Sequence, residues 1–303
     1  MSSAIHSIAI NGLPEAEYFD LYSQAVGDTF RLFVAKPLFP QPGTCPAIFT
    51  TDGNGLFMIA AGIQRMLALG AECPSAYVVA IGYPTDNGFA EAMSKRGRDF
   101  APTDGGEYAR AILHSSAAAG GAQFLKFVTE ELKPEIQSRY AVNPADSTYI
   151  GSSLGGLFGA WTLLTAPSTF QRYILASPTI SWNNEEVWHW EEACARGRKE
   201  LPARVFIAAG SLEAPEAARR EALKLAEHNS YLRPQVESII AWFDLHGWPR
   251  TTELPGQLAA KLRSREYTGL EIHAEVLPNE THMSVSPAVI GRGLRYVFDH
   301  WRP

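Results

Sequence analysis

The sequence predicts an α/β fold, with a mostly parallel central sheet and helices on both faces. Three observations predict it. Short apolar runs such as "PAIFTTDG" (46–53) and "AYVVAIGYP" (76–84) have the unbroken hydrophobicity of strands buried on both sides. Helical patterns separate such runs in regular alternation. Finally, 303 residues, 46% hydrophobic, with no internal repeat or low-complexity linker, suffice for one large core, so residues 1–303 are expected to form one domain.

Residues 16–24 ("AEYFDLYSQ") and 29–36 ("TFRLFVAK") read as an antiparallel pair turning around Val26-Gly27-Asp28. The apolar run at 46–53 is the next strand, 56–69 a helix, and 76–84 a further strand. Residues 123–139 place Phe124, Phe127, Val128, Leu132 and Ile136 at helical spacing. A short buried strand at Thr148-Tyr149-Ile150 precedes a helix over 154–164 with small and apolar faces. Strands follow at "RYILASP" (172–178), "RVFIAAG" (204–210) and "LEIHAEVLP" (270–278), with a charged helix over 215–228 and a closing helix over 287–300.

Two segments interrupt this alternation, at about 181–202 and 229–267. Of the seven tryptophans, they hold Trp182, Trp188, Trp190, Trp242 and Trp248. As cap-like helical insertions over the strand ends they would offer aromatic walls to a small molecule, with Trp182 among the candidate contacts. As decorations they would pack the same rings onto the core. The residues leave both readings open.

Charge and composition exclude several classes of partner. Net charge is −6, from 26 basic and 32 acidic residues, and no basic cluster exceeds "SKRGR" (94–98), so neither nucleic acid nor an anionic membrane is an expected partner. No apolar run reaches the length of a bilayer span. The opening "MSSAIHSIAI" lacks the charged and apolar regions of a secretory signal, and a cytoplasmic location is expected. Cys45, Cys73 and Cys194 are far apart and odd in number, which suits buried thiols in a reducing compartment.

Chemistry concentrates in "STYIGSSLGGLFGAW" (147–161), where two adjacent serines lie among glycines. A nucleophile elbow, G-x-S-x-G, joins a strand to a helix through a sharp turn at Ser, and its flanking positions must be small because backbones meet there. Only Ser153 lies between Gly151 and Gly155; centring the pattern on Ser152 would put Ile150 and Leu154 at those positions. Glycines that merely let a helix pack on a sheet would look similar, so the motif needs partners.

A serine hydroxyl becomes a nucleophile when a base takes its proton, usually a His oriented by a carboxylate. In α/β hydrolases these follow in the chain order Ser, acid, His, from loops at the carboxyl ends of strands. Of eight histidines, His282 in "LPNETHMSVSP" lies between the last strand and the last helix, where the base is expected. His273 falls within a strand and His300 on the closing helix; His189 and His246 lie in the insertions; His228 ends a helix, His6 is terminal and His114 sits in an irregular stretch. Glu213 in "FIAAGSLEAPE" occupies the loop expected for the acid, with Glu216 better suited to charge in the first turn of the following helix. For the two N–H donors of an oxyanion hole, Leu154 directly follows the nucleophile, and Asn54 is the choice within the turn "TTDGNGLF".

The segments "AIGYP", "RGRDFAP", "GGAQFLKFVTEELKP", "GSSLGGLFGAW", "SPTISW" and "NETHMSVSP" occur together in an order that resembles the putative-esterase family of α/β hydrolases, similar to the enterobactin-type siderophore esterases and their carboxylesterase relatives. The resemblance runs from about Phe30 to the C-terminus. It implies an α/β-hydrolase fold, Ser153 as nucleophile, His282 as base and the residue after Ser153 as an oxyanion donor. It also implies Arg96, or its near neighbour Arg98, at the substrate mouth, where a guanidinium suits carboxylate, catecholate or carbonyl oxygens. Two departures bear on the substrate: Ser152 stands where members often carry His, and the segment 229–267 is longer than expected.

The expected function is thus a serine carboxylic-ester hydrolase acting on a small ester, with no metal or cofactor. An acyltransferase or a peptidase could use the same triad. A non-catalytic ligand-binding protein on this fold would keep the aromatic insertions and lose the triad.

Overall fold

The computed structural model describes residues 6–39, 42–85, 89–113 and 119–300. The chain opens with three antiparallel strands, β1 (Ile8–Ala9), β2 (Ala16–Ser23) and β3 (Asp28–Ala35). Then come β4 (Cys45–Thr50), α1 (Gly53–Leu69) and β5 (Tyr77–Gly82). Two helices not foreseen from the sequence follow, α2 (Phe89–Phe100) and α3 (Gly106–Leu113). The helix expected over 123–139 is α4 (Gly121–Lys126), a π-helical turn (Phe127–Leu132) and α5 (Lys133–Arg139) in direct succession.

The second half continues with β6 (Val142–Ser152), α6 (Leu154–Thr165), β7 (Arg172–Ala176), α7 (Trp182–Glu185), α8 (Val187–Gly197) and β8 (Glu200–Gly210). It ends with α9 (Pro215–His228), α10 (Arg233–His246), α11 (Leu254–Ser264), β9 (Thr268–Leu277) and α12 (Val285–Val297). Among the described residues, no helix is long and apolar enough to cross a membrane.

The nine strands form one sheet in the order β1-β2-β3-β5-β4-β6-β7-β8-β9, parallel from β5 onward. Side-chain alternation along each strand feeds two cores. Ile48, Val78, Ile150, Ile174 and Phe206 face α1 and α12, whereas Phe49, Val79, Tyr149, Tyr173 and Val205 face the layer of α6 and its neighbours. The expected mostly parallel sheet with helices on both faces is the one observed.

This topology fixes where a site can form. After β4 the chain steps outward to β5, then crosses to β6 on the other side, so the carboxyl ends of β4 and β6 flank a switch point, the usual crevice for a ligand. In register, Thr50 pairs with Ile150, Ser152 with Ala176, Ala176 with Ala208, and Gly210 with Leu277. The loops after five successive strands therefore converge on one rim.

The segments 181–202 and 229–267 divide their roles. Val187 and Cys194 of α8, together with Leu254, Leu258 and Leu262 of α11, are buried in the main core, while α10 joins α9 in a small separate cluster through Ala226, Val236 and Ile240.

Candidate active site

The turn between β6 and α6 is sharp enough to force Ser153 to φ 57° and ψ −117°, a conformation that costs a non-glycine residue about 1–3 kcal/mol. Its backbone is held on both sides. Ser153 N–H donates to the Ala176 carbonyl (2.9 Å), and its carbonyl accepts from Leu157 (3.0 Å) and Thr179 (3.1 Å). The flanking glycines are needed for space: a Cβ on Gly151 would collide with the Gly155 carbonyl, and one on Gly155 with the Thr51 hydroxyl. The Ser153 side chain makes no capping bond to its helix, so its hydroxyl stands apart from the local hydrogen-bonding pattern.

The structure separates the two serines. Ser152 Oγ is paired with Ser286 Oγ at 2.8 Å, tying the elbow to the start of α12. The Ser152 hydroxyl is thus occupied in tying β6 to α12.

Glu213 and His282 meet despite their separation in sequence: His282 Nδ1 lies 2.5 Å from Glu213 Oε2. Glu213 is 4% exposed, and its other carboxylate oxygen accepts from the Gly210 N–H (2.8 Å) and the Ser177 hydroxyl. Burial alone would raise the pKa of this carboxyl, but the bonds from His282, Ser177 and Gly210 outweigh it and hold it below the ordinary glutamate value. An ionised carboxylate only accepts, so Nδ1 carries the proton and Nε2 is left as the acceptor.

The loop carrying His282 is pinned. Leu212 N–H donates to the Glu280 carbonyl (3.0 Å), Asn279 N–H to Ser211 Oγ (2.9 Å), and Thr281 N–H to Ser284 Oγ (2.9 Å). Gly210 makes this approach possible, because a Cβ there would strike the Glu280 carbonyl. His282 itself is half exposed, with Met283 beside it open to solvent.

Leu154 is the first residue of α6 and Asn54 the second of α1, so both backbone N–H groups precede the helical hydrogen-bond ladder. The Asn54 side chain is already used. Its Nδ2 donates to the Tyr83 carbonyl (2.9 Å) and its Oδ1 accepts from Tyr83 N–H (2.8 Å), which leaves the backbone N–H as the group it can offer.

The three residues expected to contact substrate are each engaged within the chain. Arg96 donates to both Asp52 oxygens (2.5 and 3.2 Å) and to the Ser152 carbonyl (3.2 Å), beneath the elbow. Arg98 is bonded to Asp99 (2.7 Å) and Asp28 (3.0 Å), beside the turn between β2 and β3. Trp182 is only 1% exposed, its indole N–H donating to Thr103 and its ring packed edge-on to Tyr108, so it is a core residue and no wall for a ligand. Of the other histidines, His273 stacks on Phe206, His246 stacks on Trp242, and His114 lies outside the described residues.

Sequence reasoning missed Ser177, Gly210, Ser286 and Asp52, each of which supports a site residue. For Ser177 a signal existed: it lies directly after a buried strand at the carboxyl rim.

The family described as putative esterase matches residues 23–247, a span that includes Ser153 and Glu213 and stops before His282. Ferri-bacillibactin esterase BesA of Bacillus subtilis is 29% identical over 303 residues, covering 94% of this chain and 90% of its own. A siderophore triacetylfusarinine C esterase of Aspergillus fumigatus is 28% identical over 307 residues, covering 95% of each. The crystal structure of the BES protein from Bacillus cereus superposes with a TM-score of 0.72 at 25% identity, over 97% of this chain and 98% of that one. With the observed strand order, these likenesses identify the fold as an α/β hydrolase.

Proposed function

This chain belongs to the putative-esterase family and is a serine carboxylic-ester hydrolase, and we propose that Ser153 is its nucleophile, His282 its general base and Glu213 the carboxylate that orients the base. The observation that carries this reading is the 2.5 Å bond between His282 Nδ1 and the buried Glu213, on the same rim as the strained turn at Ser153.

In this mechanism Ser153 Oγ attacks the ester carbonyl carbon while its proton passes to His282 Nε2. The carbonyl oxygen becomes an alkoxide, held by the N–H groups of Leu154 and Asn54. Collapse of the tetrahedral intermediate breaks the ester C–O bond, and His282 returns the proton to the leaving alcohol oxygen. Water then repeats the sequence on the acyl-Ser153, with His282 again as base, releasing the acid and free Ser153. Glu213 keeps the proton of the neutral imidazole on Nδ1 and stabilises the imidazolium formed at each step. The half-exposed His282 leaves water free to act as acceptor, which favours hydrolysis over transfer to a second alcohol.

For the substrate we propose an ester of the siderophore class. The Bacillus subtilis and Aspergillus fumigatus relatives, which match the chain nearly end to end, are named as siderophore esterases. The open surroundings of His282 and Met283 suit a bulky ester better than a closed pocket would.

Hydrolysis of a cyclic triester siderophore, with and without iron, followed by chromatography of the acid products and set beside a p-nitrophenyl ester series, tests this. Faster turnover of the triester, as kcat/KM, supports the class. Turnover of short alkyl esters alone rejects it.

A further inference from the structure

Arg96 and Asp52 form a clamp beneath the site that the mechanism above does not use. Asp52 ends the β4 loop in the left-handed region (φ 57°, ψ 38°) and stands at the N-cap of α1. An aspartate there ordinarily turns its carboxylate onto the first N–H groups of its helix. Asp52 makes no such bond: its carbonyl takes the N–H groups of Gly55 and Leu56 (both 2.9 Å), and its carboxylate is drawn down to Arg96. The third bond of the Arg96 guanidinium goes to the Ser152 carbonyl, in the residue before the elbow. The arginine side chain is 12% exposed and lies over the Phe100 ring. One largely buried cation therefore bridges the loop that precedes Asn54 and the strand that ends at Ser152, beside the elbow.

We propose that Arg96 is a positioning residue that fixes the N-terminus of α1 against the Ser153 elbow and keeps the Asp52 carboxylate away from the N–H groups that receive the oxyanion. The inference rests on the oxyanion roles proposed above for Leu154 and Asn54. Without Arg96 the Asp52 charge would be unbalanced beside the site, free to cap α1 and to repel the developing alkoxide. Because both effects act on the transition state, the loss falls on kcat and leaves substrate binding little changed.

The test measures p-nitrophenyl butyrate kinetics, inhibition by butylboronic acid and thermal melting on wild type, Arg96→Met, Arg96→Lys, Asp52→Asn, the double Arg96→Met/Asp52→Asn, and Ser153→Ala. Arg96→Met is expected to lower kcat about 100-fold with KM within about threefold, the size of losing one oxyanion donor, and to weaken boronate binding in step. Adding Asp52→Asn removes the stray charge and is expected to recover about tenfold of that loss, while Arg96→Lys retains more activity than Arg96→Met. A raised KM at unchanged kcat, a normal kcat in folded Arg96→Met, or a double variant no better than the single would each overturn the proposal. If Arg96→Met does not fold, Asp52→Asn and Arg96→Lys decide: lower kcat at constant KM supports the clamp, and wild-type kcat in both rejects it. Turnover surviving in Ser153→Ala would reject the catalytic reading itself; a dead Ser153→Ala beside a normal Arg96→Met rejects the clamp alone.

Discussion

His282 Nδ1 sits 2.5 Å from Oε2 of Glu213, and that carboxylate is 4% exposed and further held by Ser177 and the Gly210 N–H. A buried carboxylate with three donors is built to stay ionised, and one of those donors is the imidazole it orients. The pair places one tautomer of His282 at the rim where the strands carrying Ser153 and Glu213 end.

Glu213→Gln keeps the shape and loses the charge, so the imidazole can settle in the wrong tautomer. A fall in kcat of about 10³–10⁴-fold with little change in KM is expected in steady-state assays. The same substitution has a stability signature. The carboxyl is held below its ordinary value in the folded chain, so its contribution is present above the unfolded glutamate pKa and is lost as pH falls through the lower folded value. Melting temperature should therefore drop more steeply for wild type than for Glu213→Gln as pH is lowered below that of a free glutamate.

Ser152→Ala removes the bond to Ser286 and leaves Ser153 in place. Stability should fall by about 1 kcal/mol, the usual size of one such hydrogen bond, and fluorophosphonate labelling should persist. Denaturant melts and intact mass check the two halves.

Gly210→Ala places a methyl against the Glu280 carbonyl, in the loop that carries His282. The loop must shift, and a 1 Å displacement of a base can cost about 100-fold in rate. A drop of that size in kcat for a protein that still melts cooperatively is expected.

Trp182→Ala should reduce stability by about 3–5 kcal/mol, as for other fully buried aromatics, because the ring packs against Tyr108 and its N–H is bonded to Thr103. Where the variant remains folded, KM for a small ester should match wild type. A selective rise in KM with unchanged stability would return Trp182 to the mouth of the site.

What the sequence made legible was local or ordered. The G-x-S-x-G frame excludes Ser152 by its large neighbours, and the steric reason is visible in the contacts a Cβ would make at Gly151 and Gly155. The strand and helix alternation placed Glu213 and His282 in successive rim loops, which is enough to bring them together. Less legible were interactions across long separations. "RGRDF" advertises two cations, yet Arg96 is held by Asp52 in the loop after β4, and Arg98 is shared between its neighbour Asp99 and Asp28 at the start of β3. Trp182 looked available because it stands in an insertion, but Tyr108 and Thr103 of an unforeseen region cover it. Helix α2 is amphipathic, but Lys95, Arg96, Arg98 and Asp99 crowd its second half and make the stretch read as polar overall, which hides its apolar positions.

The central claim is that Ser153 carries the acyl group. The most direct measurement is intact-mass detection of fluorophosphonate labelling on wild type and Ser153→Ala, with p-nitrophenyl ester turnover measured on the same preparations. One adduct per wild-type chain, none on Ser153→Ala, and a loss of turnover of about 10⁴-fold or more is the predicted result. A labelled or active Ser153→Ala protein, or a folded wild type that turns over esters without being labelled, would contradict it.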